Sequence, residues 1–137
     1  MKKVPYIEQM HHSECGLSSL AMILNYYGHR IYLSELREIY GVSKGGTSLY
    51  QITKIAENYN LNVEGFRVIA EDLKMVKLPA ILHWENKHYV VLERINNKKA
   101  IIVDPAQGRL SIPFKEFESK YSGIALTLNP NENFQLR

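Results

Sequence analysis

The chain has 137 residues, one cysteine and a formal net charge of +3, which fits a single globular domain and rules out an internal disulfide. Its lysines and arginines are scattered, with no basic cluster longer than a pair such as Lys98-Lys99, so it lacks the concentrated stripe of a nucleic-acid-binding surface. No apolar run approaches the roughly 18–20 residues that cross a bilayer, and the basic start runs into Glu8, Gln9 and two histidines rather than the apolar core of a signal peptide. A cytoplasmic location is the expectation.

From the N-terminus, a polar run Gln9-Met10-His11-His12-Ser13-Glu14 leads to Cys15. Leu17, Leu20, Ala21, Leu24 and Tyr27 then recur at helical spacing along one face, and Gly28 suits the exit. Ser34 can cap a second, short helix marked by Leu36, Ile39 and Tyr40 and stopped by Gly41. After the loop Gly45-Gly46-Thr47, Ser48 and Gln51 form a capping box for a third helix carrying Leu49, Ile52, Ile55, Ala56 and Tyr59. Asn60 suits a left-handed terminator.

Beyond Asn60 the period shortens. Strands are expected over 63–68, 79–84, 88–95, 99–104, 109–112 and 123–128, with a helical turn near 72–76 and a short helix marked by Phe114, Phe117 and Tyr121. Helices first and an antiparallel sheet afterwards give an α+β fold. The whole chain reads as one domain, 1–137, with a helical part at about 15–60, a sheet part at about 61–129, and a tail, 130–137, resembling a domain edge or the beginning of a linker.

Cys15 stands at a helix start, where unpaired amides favour the thiolate. His88 follows a turn and opens a strand, a place from which an imidazole can face a cleft; Asp104 closes the next strand and can accept from the other ring nitrogen. Gln9 can bring a side-chain amide to the point where the Cys15 amide is aimed. Nucleophile, base, orienting carboxylate and oxyanion donor are the groups that attack on an amide needs. The pairing makes a register demand. If Asn96-Asn97 were a strict two-residue loop, Asp104 would point to the face opposite His88. A three-residue loop, a β-bulge, or departure of Asp104 from the ladder is therefore expected.

Duller roles compete at each position: core packing for Cys15, a surface turn for His88, a turn-starting carboxylate before proline for Asp104, local hydrogen bonding for Gln9. Gly45-Gly46 lacks the lysine of a phosphate-binding loop. His11, His12 and Cys15, with His29 or His83, do not match paired structural zinc spacings, although a His-His-Cys catalytic zinc stays open. A deaminase would want a second cysteine and a glutamate two residues after a histidine.

The segment from Gln9 through Cys15-Gly16 to Tyr26-Tyr27-Gly28 resembles the double-glycine leader peptidase family, the papain-like N-terminal domain of exporters that process and secrete bacteriocins, lantibiotics and peptide pheromones. The resemblance continues through Gly46-Thr47-Ser48, His83-Trp84, His88-Tyr89-Val90-Val91 and Val103-Asp104-Pro105, and so spans nearly the whole chain in order. It implies a papain-like fold, Cys15 as nucleophile, His88 as base, Asp104 as orienting carboxylate and Gln9 as oxyanion donor. It also implies cleavage of a precursor after Gly-Gly or Gly-Ala, with the leader bound as an amphipathic helix beside the cleft. The implied partners are the precursor peptide and the membrane and nucleotide-binding domains of an ABC exporter, on the cytoplasmic side of the membrane. ATP would serve only those domains, and the peptidase itself would need no cofactor. One departure stands out: the residue before the nucleophile is Glu14 where the family usually has aspartate, so altered local geometry with retained activity is expected. Two rivals remain, a domain that binds leaders without cutting them and an acyl-transfer enzyme on the same plan.

Overall fold

The computed structural model describes residues 2–137. A 3-10 turn, His12–Glu14, runs directly into α1 (Cys15–Tyr26); α2 (Leu33–Tyr40) and α3 (Leu49–Asn58) follow. Six strands come next: β1 (Leu61–Arg67), β2 (Ala80–Trp84), β3 (His88–Ile95), β4 (Lys99–Asp104), β5 (Gly108–Pro113) and β6 (Tyr121–Pro130). A 3-10 segment, Ala70–Met75, links β1 to β2, and α4 (Phe114–Lys120) links β5 to β6. The strands form one antiparallel sheet in the order β1-β6-β2-β3-β4-β5. The α+β architecture, with N-terminal helices on a C-terminal sheet, is the one expected from the sequence.

Alternation along the strands gives the sheet two apolar faces. Ile81, Tyr89, Val91, Val103 and Leu126 pack under the three helices. Leu82, Trp84, Val90, Leu92 and Ile102 form a second core with Phe117 and Tyr121, whose rings stack at 5.8 Å. Tyr121, expected as the end of the short helix, instead opens β6. The helix α1 is more deeply set than a one-sided apolar stripe implies. Every residue from Cys15 to Leu24 is buried, Ser18 and Ser19 included, because α1 lies between β3 on one side and α2 and α3 on another. Burying each of its large side chains stabilises the fold by about 1.5–3 kcal/mol, so α1 is the rigid post on which Cys15 stands.

The third helix is capped as its sequence requires: the Ser48 hydroxyl accepts from the Gln51 amide at 3.1 Å, and Gln51 Oε1 accepts from the Ser48 amide at 2.8 Å. Asn60 adopts φ 64°, the left-handed turn expected of it. The second helix differs. It begins at Leu33, with Ser34 inside it, because Glu35 Oε1 reaches back 3.2 Å to the Tyr32 amide and makes Tyr32 the cap. The tail also differs from a linker. Pro130 still belongs to β6, and residues 131–137 fold back across the helices: Phe134 meets Tyr27 and His29, the Arg137 amide donates to the Gly28 carbonyl at 3.0 Å, and its guanidinium pairs with Glu35 at 2.7 Å.

Two register shifts shape the end of the sheet where β3 begins. One lies between Leu82 and Trp84 against β6, at His83; the other lies between Leu92 and Arg94 against β4, at Glu93. Near the hairpin Ile95 pairs with Ala100, but beyond Glu93 Leu92 pairs with Ile102 and Val91 with Val103. Continuing that register sets Asp104 beside Val90, on the same side of the sheet as His88. The β-bulge is the device that meets the register demand.

Candidate active site

Cys15 is the first residue of α1 and is 5% exposed. It opens onto a cleft of about 320 Å³ walled by Gly45, Gly46 and Thr47 on one side and His83 and Tyr89 on another. A Cβ on the next residue, Gly16, would be crowded, 3.0 Å from Ile52 Cδ1 and 3.2 Å from Thr47 Cβ, so its neighbours would have to give. Close approach of α3 and its preceding loop to the start of α1 is thus what the Cys-Gly pair permits.

Beside Cys15, His88 Nε2 meets Asp104 Oδ1 at 2.7 Å, leaving Nδ1 for the thiol. Asp104 is 3% exposed, and the same Oδ1 accepts the Ala106 amide at 2.8 Å, which fixes the carboxylate at the strand end. Burial works against charge on His88, but the Asp104 carboxylate and then the Cys15 side chain outweigh it and lift the imidazole pKa to about 9. The ring thus keeps its proton at neutral pH with the sulfur beside it. The nearby His83 is pushed the other way: burial alone lowers its pKa, and its ring lies 5.4 Å from that of Tyr89.

Gln9 arrives on an extended arm. The Val4 amide donates to Glu93 Oε2 at 2.6 Å, and Arg109 bridges Glu93 and the Val4 carbonyl. The Ser18 hydroxyl donates to the Ile7 carbonyl at 2.6 Å, and the Gln9 amide donates to the Pro105 carbonyl at 3.0 Å. Glu93, the bulged residue, therefore serves twice, shifting the β3–β4 register and tying down the arm. The Gln9 side chain is partly buried, and its Oε1 has no hydrogen-bond partner. Cys15, His88 and Asp104 come together from α1, β3 and β4, and the Gln9 backbone is held beside Asp104 at Pro105.

The loop between Gln9 and Cys15 is built around Glu14, whose side chain is fully buried. Its Oε1 accepts the Met10 amide at 2.9 Å and the His11 amide at 3.1 Å, and its Oε2 accepts from Arg37 Nε. Burial would raise the Glu14 pKa, yet the Arg37 bond and the two amides hold it below the ordinary carboxylate value. Arg37, Glu93 and Arg109 carry no local sequence signal; their partners lie far away along the chain. The alternative of a His-His-Cys metal site finds no support, since among the described residues no three His, Cys, Asp or Glu side chains gather as a metal group would require.

Comparison with known proteins places this geometry. Residues 3–133 match the model of the Peptidase C39 family. The colicin V secretion/processing ATP-binding protein CvaB of Escherichia coli is 35% identical over 134 residues, which cover 98% of this chain and 19% of that protein. The lactococcin-G-processing and transport ATP-binding protein LagD of Lactococcus lactis subsp. lactis is 32% identical, covering 98% and 20%. The chain thus spans about a fifth of the length of these curated relatives. Among solved structures, a double glycine motif protease from an AMS/PCAT transporter, in complex with the leader peptide, superposes with a TM-score of 0.89 at 42% identity, covering 95% of this chain and 94% of that one. The peptidase domain of Streptococcus ComA shares the fold, with a TM-score of 0.84 at 23% identity, covering 94% and 100%.

Proposed function

The chain belongs to the Peptidase C39 family, and from that premise we propose that it is a cysteine endopeptidase that removes the leader of a bacteriocin or lantibiotic precursor after a Gly-Gly or Gly-Ala pair. His88 holds the proton it shares with Cys15, and the sulfur attacks the carbonyl carbon of the second small residue. The Gln9 side-chain amide and the Cys15 backbone amide hold the resulting oxyanion. As the adduct collapses, the C–N bond breaks and His88 passes its proton to the departing amine. Water then attacks the thioester, His88 takes the water's proton, and Cys15 leaves to regain it. Asp104 holds the ring and steadies its positive form without itself taking a proton.

The observation that carries this reading is the position of His88 between Asp104 and Cys15, with its pKa lifted to about 9, beside a cleft that Cys15 lines together with Gly45 and Gly46. Such a cleft suits a substrate whose residues before the cut have no side chain or only a methyl group. The names of the relatives, which join processing to transport and ATP binding, support attachment to the membrane and nucleotide-binding domains of an ABC exporter, on the cytoplasmic face of the membrane. No described helix is long and apolar enough to cross a membrane, so the bilayer segments would belong to those other domains, as would ATP. The peptidase chemistry would use the chain's own groups and water.

The test is mass spectrometry of a Gly-Gly leader precursor incubated with the protein. The expected products are a leader ending in a free carboxylate after the second glycine and a core peptide with a new amine, with no turnover by Cys15→Ala. A new amide in place of the carboxylate would indicate acyl transfer, and intact precursor that still binds would indicate a non-cleaving recognition domain.

A further inference from the structure

The Glu14–Arg37 pair lies outside the four groups proposed to do the chemistry, yet it is a side-chain hub of the loop joining two of them. One buried carboxylate takes the amides of Met10 and His11 and the Nε of Arg37, and its own residue immediately precedes Cys15. Met10 immediately follows Gln9. The carboxylate therefore draws the chain just after the oxyanion side chain toward the residue just before the oxyanion amide. We infer that Glu14, fixed by Arg37 from α2, is a positioning residue that sets the separation between the Gln9 side chain and the Cys15 amide, and so shapes the oxyanion site. The inference rests on the peptidase reading above.

The physical argument is one of geometry and burial. A loop of polar residues, with Met10, His11 and His12 all exposed, has no apolar contacts of its own to define its shape. Its form comes from hydrogen bonds, among them the turn bond from the Glu14 amide to the His11 carbonyl at 3.0 Å. The Gln9 amide is anchored to Pro105 at 3.0 Å, which fixes the backbone of Gln9 but not the course of the chain onward to Cys15. That course is set by Glu14. A carboxylate can accept two amides on one oxygen while the other faces a guanidinium, and charge-assisted bonds of this kind are shorter and stronger than neutral ones. The longer arm of glutamate, compared with the aspartate usual in the family pattern, is used to reach Arg37 and both amides at once. Glu14 touches no reacting atom; it acts through Gln9 and the amide of Cys15.

A double-mutant cycle tests this on a Gly-Gly leader precursor, with kcat and KM measured separately for the wild type, Gln9→Ala, Glu14→Gln and the double variant. Removing an oxyanion donor should lower kcat by about 10²–10³-fold. Glu14→Gln, which keeps an amide oxygen but loses the charge that holds Arg37, should lower kcat by up to about 10²-fold, the loss that roughly 1 Å of misplacement brings, with KM unchanged. The double variant should be no slower than Gln9→Ala alone, because the two residues act through one oxyanion site. Additive losses, a loss confined to KM, or unchanged kcat in Glu14→Gln would overturn the inference. If Glu14→Gln does not fold, Arg37→Lys, which keeps a cation facing the carboxylate, enters the same cycle with the same non-additivity expected. Wild-type protein that fails to cleave the precursor would instead sink the peptidase reading itself, and the first member of the cycle reports that separately.

Discussion

The two sides of the cleft are held by different means. On the sheet side, His88 and Asp104 sit on neighbouring strands and their relation follows from backbone register, adjusted by one β-bulge at Glu93. On the loop side, Gln9 and Cys15 are separated by a polar segment whose shape depends on side chains, above all Glu14 with Arg37 and the arm's anchors at Glu93, Ser18 and Pro105. A ladder spreads its constraint over many bonds, so loss of one side chain leaves its geometry standing. A loop pinned at a few points concentrates that constraint. The sheet side should therefore lose chemistry without losing structure, and the loop side should lose both together.

The largest effect expected is from Cys15→Ala, which should remove turnover entirely while the leader still binds, as calorimetric titration with an uncut precursor would record. Asp104→Asn comes next. It leaves the ladder intact but takes away the group that most favours a charged His88, and kcat should fall by up to about 10⁴-fold, the loss seen when an orienting carboxylate is neutralised in a serine triad. Its melting temperature should change little by comparison.

The pH dependence has a definite sign. Because His88 is raised from 6.5 to about 9, its charged form contributes stability that is complete below the unfolded value and lost as pH rises through about 9. Turnover should fall over the same interval as the imidazolium loses its proton. Asp104→Asn should move that alkaline limb to lower pH, since burial then meets less opposition. A limb that stays in place would show that the Asp104 bond does not set the His88 charge.

Smaller effects belong to the supports. Glu93→Ala leaves the Val4 amide without its acceptor and Arg109 without its carboxylate partner and should cost about 1–3 kcal/mol of stability, measured by chemical denaturation. Some loss of kcat should accompany it, because the arm that carries Gln9 is loosened. Ser48→Ala should cost about 1 kcal/mol through the lost cap of α3, a shift of a few degrees in Tm.

The same contrast explains what could be read from the residues alone. Features with a local cause were visible: the Ser48–Gln51 cap, the Asn60 turn, and the bulge, which follows from face alternation once His88 and Asp104 are paired. Features made by distant partners were not. Ser34 looked like a cap because serine prefers that position, but Glu35 bonding back to Tyr32 set the start of α2. The polar run Asn129-Pro130-Asn131-Glu132-Asn133 made the tail resemble a domain edge or the beginning of a linker, whereas Phe134 against Tyr27 and the bonds of Arg137 to Gly28 and Glu35 dock it on the helices. Arg37 meets Glu14 across 23 positions of sequence, and no periodicity or spacing connects them. Glu14 drew notice only as a departure from the family pattern; its role as the hub of the loop needed the fold.

The central claim is that the sulfur on α1 and the imidazole on β3 act as one proton-sharing pair. The most direct measurement is the rate of iodoacetamide alkylation of Cys15 at neutral pH, mapped by mass spectrometry, in the wild type and in His88→Ala. The account predicts prompt labelling in the wild type and markedly slower labelling in the variant. Equal rates would mean that the two groups are neighbours without being partners, and the account would be wrong.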